Sequence, residues 1–196
     1  MMKEVKDFDG LDIDTIEKIA EHYKQIIALL GEDPNREGLK KTPMRAAKAM
    51  AYLTNGYRKD ASKVIKSAIF NHDGSKVVVV KDIEFYSLCE HHILPFYGKI
   101  SIGYIPTGKI VGLSKIARIV EVFSRRLQVQ ERLTQEVCSL VAQQLEAKGV
   151  IVVCEGAHMC MRMRGVEKEN SLTQTIEYTG EFSDVNLRRE FFDMLR

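Results

Sequence analysis

The chain lacks any long apolar run. No stretch approaches the roughly 18 consecutive apolar residues of a membrane-spanning helix, and the first residues, MMKEVKDFDGLDID, are too acidic and polar for a secretory signal peptide. We therefore expect a cytoplasmic protein. Its 196 residues, 45% of them hydrophobic, are sufficient to build a packed core.

A strong charge of either sign is also missing. The 29 Lys and Arg residues nearly balance the 27 Asp and Glu residues, which leaves a formal net charge of +2. A general nucleic-acid binder would carry a much stronger basic bias. Any site for an anionic ligand must therefore be a local cluster of cations.

Cysteine is scarce, with four residues at positions 89, 138, 154 and 160. Because no secretory signal precedes them, a disulfide framework is less expected than metal ligands or buried thiols. Cys138 and Cys154 lie outside any motif, and we interpret both as core residues, since free cysteine is commonly buried.

The first part of the chain predicts two helices. Apolar residues recur every three or four positions over Asp12–Leu30, and Gly31 follows as a stop signal. Thr42 and Pro43 form an N-cap and first-turn pair for a second helix. We interpret residues 1–60 as an N-terminal helical segment that precedes a catalytic domain at 61–196.

The remainder mixes strands and helices without strict alternation. The predicted strands are Val64–Phe70, Lys76–Tyr86, Tyr97–Ile105, Val150–Glu155 and Leu172–Phe182, and the predicted helices are Ser114–Arg126, capped by Ser114, Gln130–Lys148 and Val185–Leu195, capped by Asp184. This order favours an α+β fold with an antiparallel sheet.

Two short segments carry potential metal ligands. In SLCEHHILPF, at 87–96, Cys89 and His92 stand three residues apart, and Cys160 follows His158 at the end of another predicted strand. A single Cys-His pair at this spacing is as often a buried cysteine beside a surface histidine as it is a pair of metal ligands. Two such clusters favour a three-ligand site with an open position, because a closed structural zinc site would need four ligands.

Other polar residues near these segments could act on a substrate. His91 and His158 would suit proton transfer near neutral pH if they lay beside a metal, although either could equally be an ordinary core or surface residue. Ser114, Lys115 and Arg118 gather at a predicted helix N-terminus, which suits phosphate. A solvated basic face is the alternative interpretation.

Three longer segments resemble the signatures of the GTP cyclohydrolase I family. They are CEHH at 89–92, GLSKIARIVEVFSRRLQVQERLT at 112–134 and GAHMCMRMRG at 156–165. The resemblance extends from about Thr42 to the C-terminus, whereas the first 40 or so residues match only in general character. It implies a zinc hydrolase that opens the GTP imidazole ring, releases formate and forms 7,8-dihydroneopterin triphosphate.

The resemblance also implies roles for individual residues. Zn²⁺ would be held by Cys89, His92 and Cys160, and His91 and His158 would transfer protons. The guanine edge would bind to Glu131 with help from Gln130. The triphosphate or ribose end would contact Ser114, Lys115, Arg118 and Arg164.

The family's tunnelling fold places two helices on one face of an antiparallel sheet. Its subunits form a decamer of two pentamers, with active sites at subunit borders.

Two rival functions remain: a nitrile reductase on the same fold, which would lack the paired zinc cysteines, and a zinc-stabilised binding module, which would need four protein ligands and no free histidines.

Overall fold

The computed structural model describes residues 7–74 and 76–196 of the chain. These residues form two compact units, one ending at Arg58 and the other spanning Lys59–Arg196. A catalytic role for the second unit stays a prediction at this stage.

The first unit is mainly helical. A short hairpin of β1 (Asp7–Phe8) and β2 (Leu11–Asp12) leads into α1 (Ile13–Leu29), and α2 (Thr42–Leu53) follows. The Asp12 side chain caps α1 by accepting from the Thr15 N–H, and Gly31 adopts a φ of +89° just beyond its end. The predicted helical pair is therefore confirmed, but α2 begins one residue after its cap, Lys41, so Thr42 is not the N-cap.

The second unit contains the sheet and most of the core. Its elements are α3 (Ala61–Lys66), β3 (Ile69–Asn71), β4 (Val78–Cys89), β5 (Pro95–Ile105), β6 (Lys109–Val111), α4 (Leu113–Ser124), β7 (Leu127–Gln128), α5 (Gln130–Leu145), β8 (Gly149–His158), α6 (Met159–Arg162), β9 (Thr173–Gly180) and α7 (Val185–Leu195).

Five of these strands form one sheet in the order β7-β4-β5-β8-β9. The three long pairings, β4 with β5, β5 with β8 and β8 with β9, are antiparallel, whereas the short β7 pairs with β4 in parallel. The predicted α+β class is confirmed, and the sheet is mixed at one edge.

Two amphipathic helices, α4 and α5, cover one face of the sheet. Their apolar stripes, including Ile116, Ile119, Leu133 and Val137, are fully buried against strand residues such as Ile100. Helix α7 covers part of the other face, where Phe191 packs with Phe182 and Ile151. Cys138 and Cys154 are buried in the core, and burial raises the pKa of each thiol to about 12, which confirms their interpretation as core residues.

Two further details of the predicted secondary structure are wrong. Residues 64–66 end helix α3 instead of starting a strand, because Asp60 accepts from the Ser62 and Lys63 N–H groups and Ile65 is buried in the core. Helix α4 is capped by Gly112 without a side-chain bond, so Ser114 lies in its first turn. The Asp184 cap on α7 is confirmed by its bond from the Asn186 N–H.

None of the helices within the described ranges is long and apolar enough to cross a membrane.

Candidate functional site

A tight turn at the end of β4 presents the CEHH segment. The Cys89 N–H donates to the Leu94 carbonyl at 2.8 Å, and the His92 and Ile93 N–H groups donate back to the Cys89 carbonyl at 3.2 and 2.8 Å. Ile93 takes a φ of +55°, which closes the turn. The histidines are thereby held close to the Cys89 thiol.

Cys89, His92 and Cys160 form one cluster of potential ligands. One ligand atom from each lies within 4.8 Å of the other two, and Cys89 Sγ is 3.7 Å from His92 Nδ1. Zinc binds thiolate at about 2.3 Å and imidazole at about 2.0–2.1 Å, which separates two ligands of one tetrahedral ion by about 3.5 Å. Two sulfurs and one nitrogen at these separations fit Zn²⁺ and leave one coordination position for a non-protein ligand.

The Cys160 thiol lies in helix α6, directly after β8. The expectation that it would lie at the end of a strand is wrong: His158 is the last strand residue and Cys160 belongs to the helical turn that follows. Burial and the adjacent Cys89 thiol raise the pKa of Cys160. A bound cation would oppose this effect, because it stabilises the thiolate.

Two further side chains, His91 and Arg164, lie next to this cluster of potential ligands. His91 is exposed, and its Nδ1 is 3.9 Å from Cys89 Sγ. Arg164 Nη1 is 3.3 Å from His92 Nε2, and because a guanidinium only donates, Nε2 must accept in this contact. A neutral His92 that ligates through Nδ1 carries its proton on Nε2, so this contact and Nδ1 ligation exclude each other.

An ion pair ties the turn to helix α5. The Arg132 guanidinium donates from Nη1 and Nη2 to the two carboxylate oxygens of Glu90 at 2.6 and 3.0 Å, and it lowers the Glu90 pKa. The Glu90 N–H also donates to the Gln128 carbonyl at 3.0 Å. The CEHH turn is thus anchored through both its backbone and a side chain.

His158 is half-buried between a ring and an amide. Its imidazole stacks on Phe96 with 4.7 Å between centroids and 5° between planes, and its Nε2 is 2.9 Å from Gln130 Oε1. Burial lowers the pKa of His158, and the Glu131 carboxylate opposes that effect. Gln130 and Glu131, the two residues that precede Arg132 on α5, are therefore both close enough to influence this histidine.

The predicted nucleotide-binding residues differ in their surroundings. Glu131 is exposed in the first turn of α5, whereas the adjacent Gln130 is only 1% exposed. On α4, Ser114 and Lys115 lie in the first turn, Arg118 lies one turn later, and Ser114 and Arg118 are exposed. No hydrogen bond or ion pair among the described residues joins this α4 group to the Cys89 cluster.

Several residues of this region were not predicted from the sequence. Arg132 contacts the turn and Phe96 stacks on His158. Gly156 leaves space beside Gln130, because a Cβ there would lie 2.4 Å from Gln130 Oε1. Arg162 holds the segment after α6 by donating to the Ser171 carbonyl. These contacts join segments that are distant in the sequence, so sequence patterns do not reveal them. The one available signal was the opposite charge of Glu90 and Arg132, which could have suggested that these two residues pair.

A family profile and individual relatives both match this chain to GTP cyclohydrolase I. The profile of the GTP cyclohydrolase I family matches residues 19–196. A protein named GTP cyclohydrolase 1 from Porphyromonas gingivalis is 54% identical over 178 residues, covering 91% of this chain and 92% of the relative. The Bacteroides fragilis protein of the same name is 55% identical over 181 residues, covering 92% and 93%.

Two further matches differ more in length or sequence from this chain. The Drosophila melanogaster protein named GTP cyclohydrolase 1 is 55% identical over 178 residues, covering 90% of this chain and 55% of the relative. A solved structure described as the archaeosine synthase QueF-Like in the apo form has 16% identity and a TM-score of 0.45, covering 55% of this chain and 97% of that one. That structural likeness is too low to support an argument about function.

Proposed function

Because the chain belongs to the GTP cyclohydrolase I family, and is an enzyme of that family, we propose that it hydrolyses the imidazole ring of GTP with zinc. In this reaction C8 leaves as formate and the remaining atoms rearrange to 7,8-dihydroneopterin triphosphate. The observation that carries the proposal is the cluster of Cys89, His92 and Cys160, whose ligand atoms lie within 4.8 Å.

The metal would be held by those three residues alone. When bound, zinc supplies a hydroxide nucleophile near neutral pH, because it lowers the pKa of a coordinated water to about 7. The S₂N ligand set and its compact geometry support zinc over a hard cation such as Mg²⁺, which prefers oxygen ligands.

Proton transfer is assigned to His91 and His158. A neutral purine resists attack at C8 until a ring nitrogen is protonated, and an imidazole can donate and recover a proton near neutral pH. The positions of both histidines support these roles, since His91 Nδ1 lies 3.9 Å from Cys89 Sγ and His158 directly precedes the helix that carries Cys160.

Recognition of guanine is assigned to Glu131. Guanine presents adjacent N1–H and N2–H donors, and one carboxylate can accept from both. Adenine would leave that carboxylate without its donors, which disfavours adenine nucleotides. Glu131 is exposed and acts electrostatically on His158, which supports a position of its carboxylate beside the reacting purine ring.

The triphosphate or ribose end is assigned to Ser114, Lys115, Arg118 and Arg164. The backbone N–H groups of the first turn of α4 and the positive end of its dipole suit phosphate oxygens. Arg164 is exposed on the segment after α6 and would be released from His92 when His92 ligates a metal through Nδ1. A polyanion then has a local cationic site on a chain whose net charge is only +2.

We further propose a decamer of two pentamers on the tunnelling fold, with active sites at subunit borders. In support, β9 pairs only with β8 in the described part of the chain, so its outer edge has free backbone groups. Ile176 and Tyr178 on β9 are 44% and 40% exposed. Edge-to-edge joining of subunits would cover this strand.

The direct test is formate release by the zinc-loaded protein incubated with GTP. We expect formate and a pterin chromophore in equal amounts, with about one zinc per chain. A zinc-containing protein that binds GTP and releases no formate would instead be a nucleotide-binding module. A nitrile reductase would also release none.

A further inference from the structure

The side-chain amide of Gln130 is held in a single orientation. Its Nε2 donates to the carbonyl oxygens of Cys154 and Thr173 at 3.1 and 3.0 Å, and it lies 3.2 Å from Thr175 Oγ1. A carbonyl oxygen only accepts, so the NH₂ group must face these two carbonyls. Because Gln130 is 1% exposed, a flipped amide would place its oxygen against them without water to compensate.

That orientation fixes what Gln130 offers to His158. The amide oxygen Oε1 lies 2.9 Å from His158 Nε2, and an amide oxygen only accepts, so Nε2 must carry the hydrogen. The Phe96 ring restrains the imidazole plane from one side. Gly156 leaves the space that this bond needs, since a Cβ there would lie 2.4 Å from Oε1 and 3.6 Å from Nε2.

The opposite nitrogen of His158 is not engaged in this way. Among the described residues, no hydrogen bond involves His158 Nδ1, and the side chain does not cap helix α6 that begins after it. In the neutral ring Nδ1 therefore carries the lone pair.

We propose that Gln130 is a positioning residue that fixes His158 as the Nε2–H tautomer, so that His158 exchanges protons with the substrate through Nδ1. The neutral ring accepts a proton at Nδ1 and returns one from the same atom, while the Nε2 hydrogen stays bonded to Gln130 throughout. This inference rests on the proposed function and gives Gln130 a role other than direct contact with guanine.

The tautomer can be measured without any substitution. The chain has five histidines, so the zinc-loaded, substrate-free protein labelled with ¹⁵N-histidine gives few signals in solid-state NMR, and the His158→Ala variant identifies those of His158. We expect a protonated Nε2 and an unprotonated Nδ1 at a pH where the ring is neutral. An Nδ1–H tautomer in wild-type protein that releases formate would overturn the inference while leaving the proposed function intact.

Two variants test the part played by Gln130. Gln130→Met has similar length but no acceptor, so we expect a mixture of tautomers and a kcat about tenfold lower, the usual effect of one lost hydrogen bond, with little change in the KM for GTP. Thr175→Val is the matched control, because it removes one neighbour of the amide and keeps both carbonyl acceptors, and it should retain the Nε2–H tautomer.

The opposite pattern would assign Gln130 to guanine binding. In that case Gln130→Met would raise the KM for GTP and leave the His158 tautomer unchanged. If Gln130→Met fails to fold, as judged by zinc content and subunit assembly, the wild-type tautomer still decides the proposal.

Discussion

Glu90 and Arg132 form a bidentate ion pair between the CEHH turn and helix α5, with both guanidinium-to-carboxylate contacts at 3.0 Å or less. Glu90 lies next to the proposed ligand Cys89, and Arg132 lies next to Glu131. The pair therefore joins the proposed metal ligands to the proposed guanine-binding helix, and its effect should appear in metal affinity.

We expect Arg132→Lys to weaken zinc binding by about tenfold, because lysine cannot reproduce the two-point contact and the turn loses an anchor. Competition with a chelator of known affinity measures this effect. Lys99→Gln is the matched control, since it removes the solvent-exposed ion pair of Lys99 with Asp82. Equal zinc affinity in both variants would show that the Glu90 pair does not order the turn.

Substitution of one ligand tests the metal site. Cys160→Ser should lose most zinc and all measurable turnover, because a serine hydroxyl is a poor ligand for zinc compared with a thiolate. Zinc per chain is measured by elemental analysis alongside formate release. Cys138→Ser, at a buried core position, should keep the metal even if it lowers stability. A zinc-replete, active Cys160→Ser protein would remove Cys160 from the ligand set.

Removal of the metal should make the ligand thiols reactive. The sulfur atoms of Cys89 and Cys160 lie within 4.8 Å of each other, so in air we expect a disulfide, formed with loss of two protons and two electrons to oxygen. Cys138 and Cys154 should not react, because burial raises each pKa to about 12 and almost no thiolate exists at neutral pH. Non-reducing peptide mapping reports both outcomes, and a Cys138 or Cys154 crosslink would contradict the prediction.

The proposed triphosphate site predicts that its variants lose part of the preference for GTP over guanosine. Lys115→Met or Arg118→Met should lower kcat/KM for GTP by about tenfold or more, because remote binding energy positions the guanine for reaction. Guanosine should be a poor substrate of every form, and the variants should not make it poorer. Lys109→Met, which breaks a contact with Glu146 on the surface, is the control. Equal turnover of GTP and guanosine by the wild type would require another role for the α4 cations.

His158→Ala separates proton transfer from metal binding. We expect zinc content and GTP affinity to persist and formate release to fall by roughly a hundredfold or more, as for a missing general acid. All three are measured on one preparation, with His22→Ala as the control because His22 is exposed on α1. Loss of zinc would make His158 a ligand, and near-normal formate release would make it a pocket-lining residue.

The sequence by itself determined the class of fold, the order of most elements and, through the family resemblance, the small set of residues proposed to carry the chemistry. This was possible because those properties depend on local signals: apolar period, caps such as Asp184, and the short spacing of Cys89 and His92. Where a residue's local strand preference competed with tertiary packing, the prediction based on that preference was wrong. The β-branched Val64 and Ile65 suggested a strand, but the Asp60 cap and burial of Ile65 made a helix.

Only the tertiary structure decided how these residues work together. Cys160 approaches Cys89 from a helical turn that the strand-like pattern of β8 did not reveal. The amide of Gln130 is oriented by carbonyls of β8 and β9, and the CEHH turn is anchored by an arginine that lies 42 residues from Glu90 in the sequence. Such contacts depend on strand register and on the seating of α5 against the sheet, and neither is encoded in the spacing of a motif.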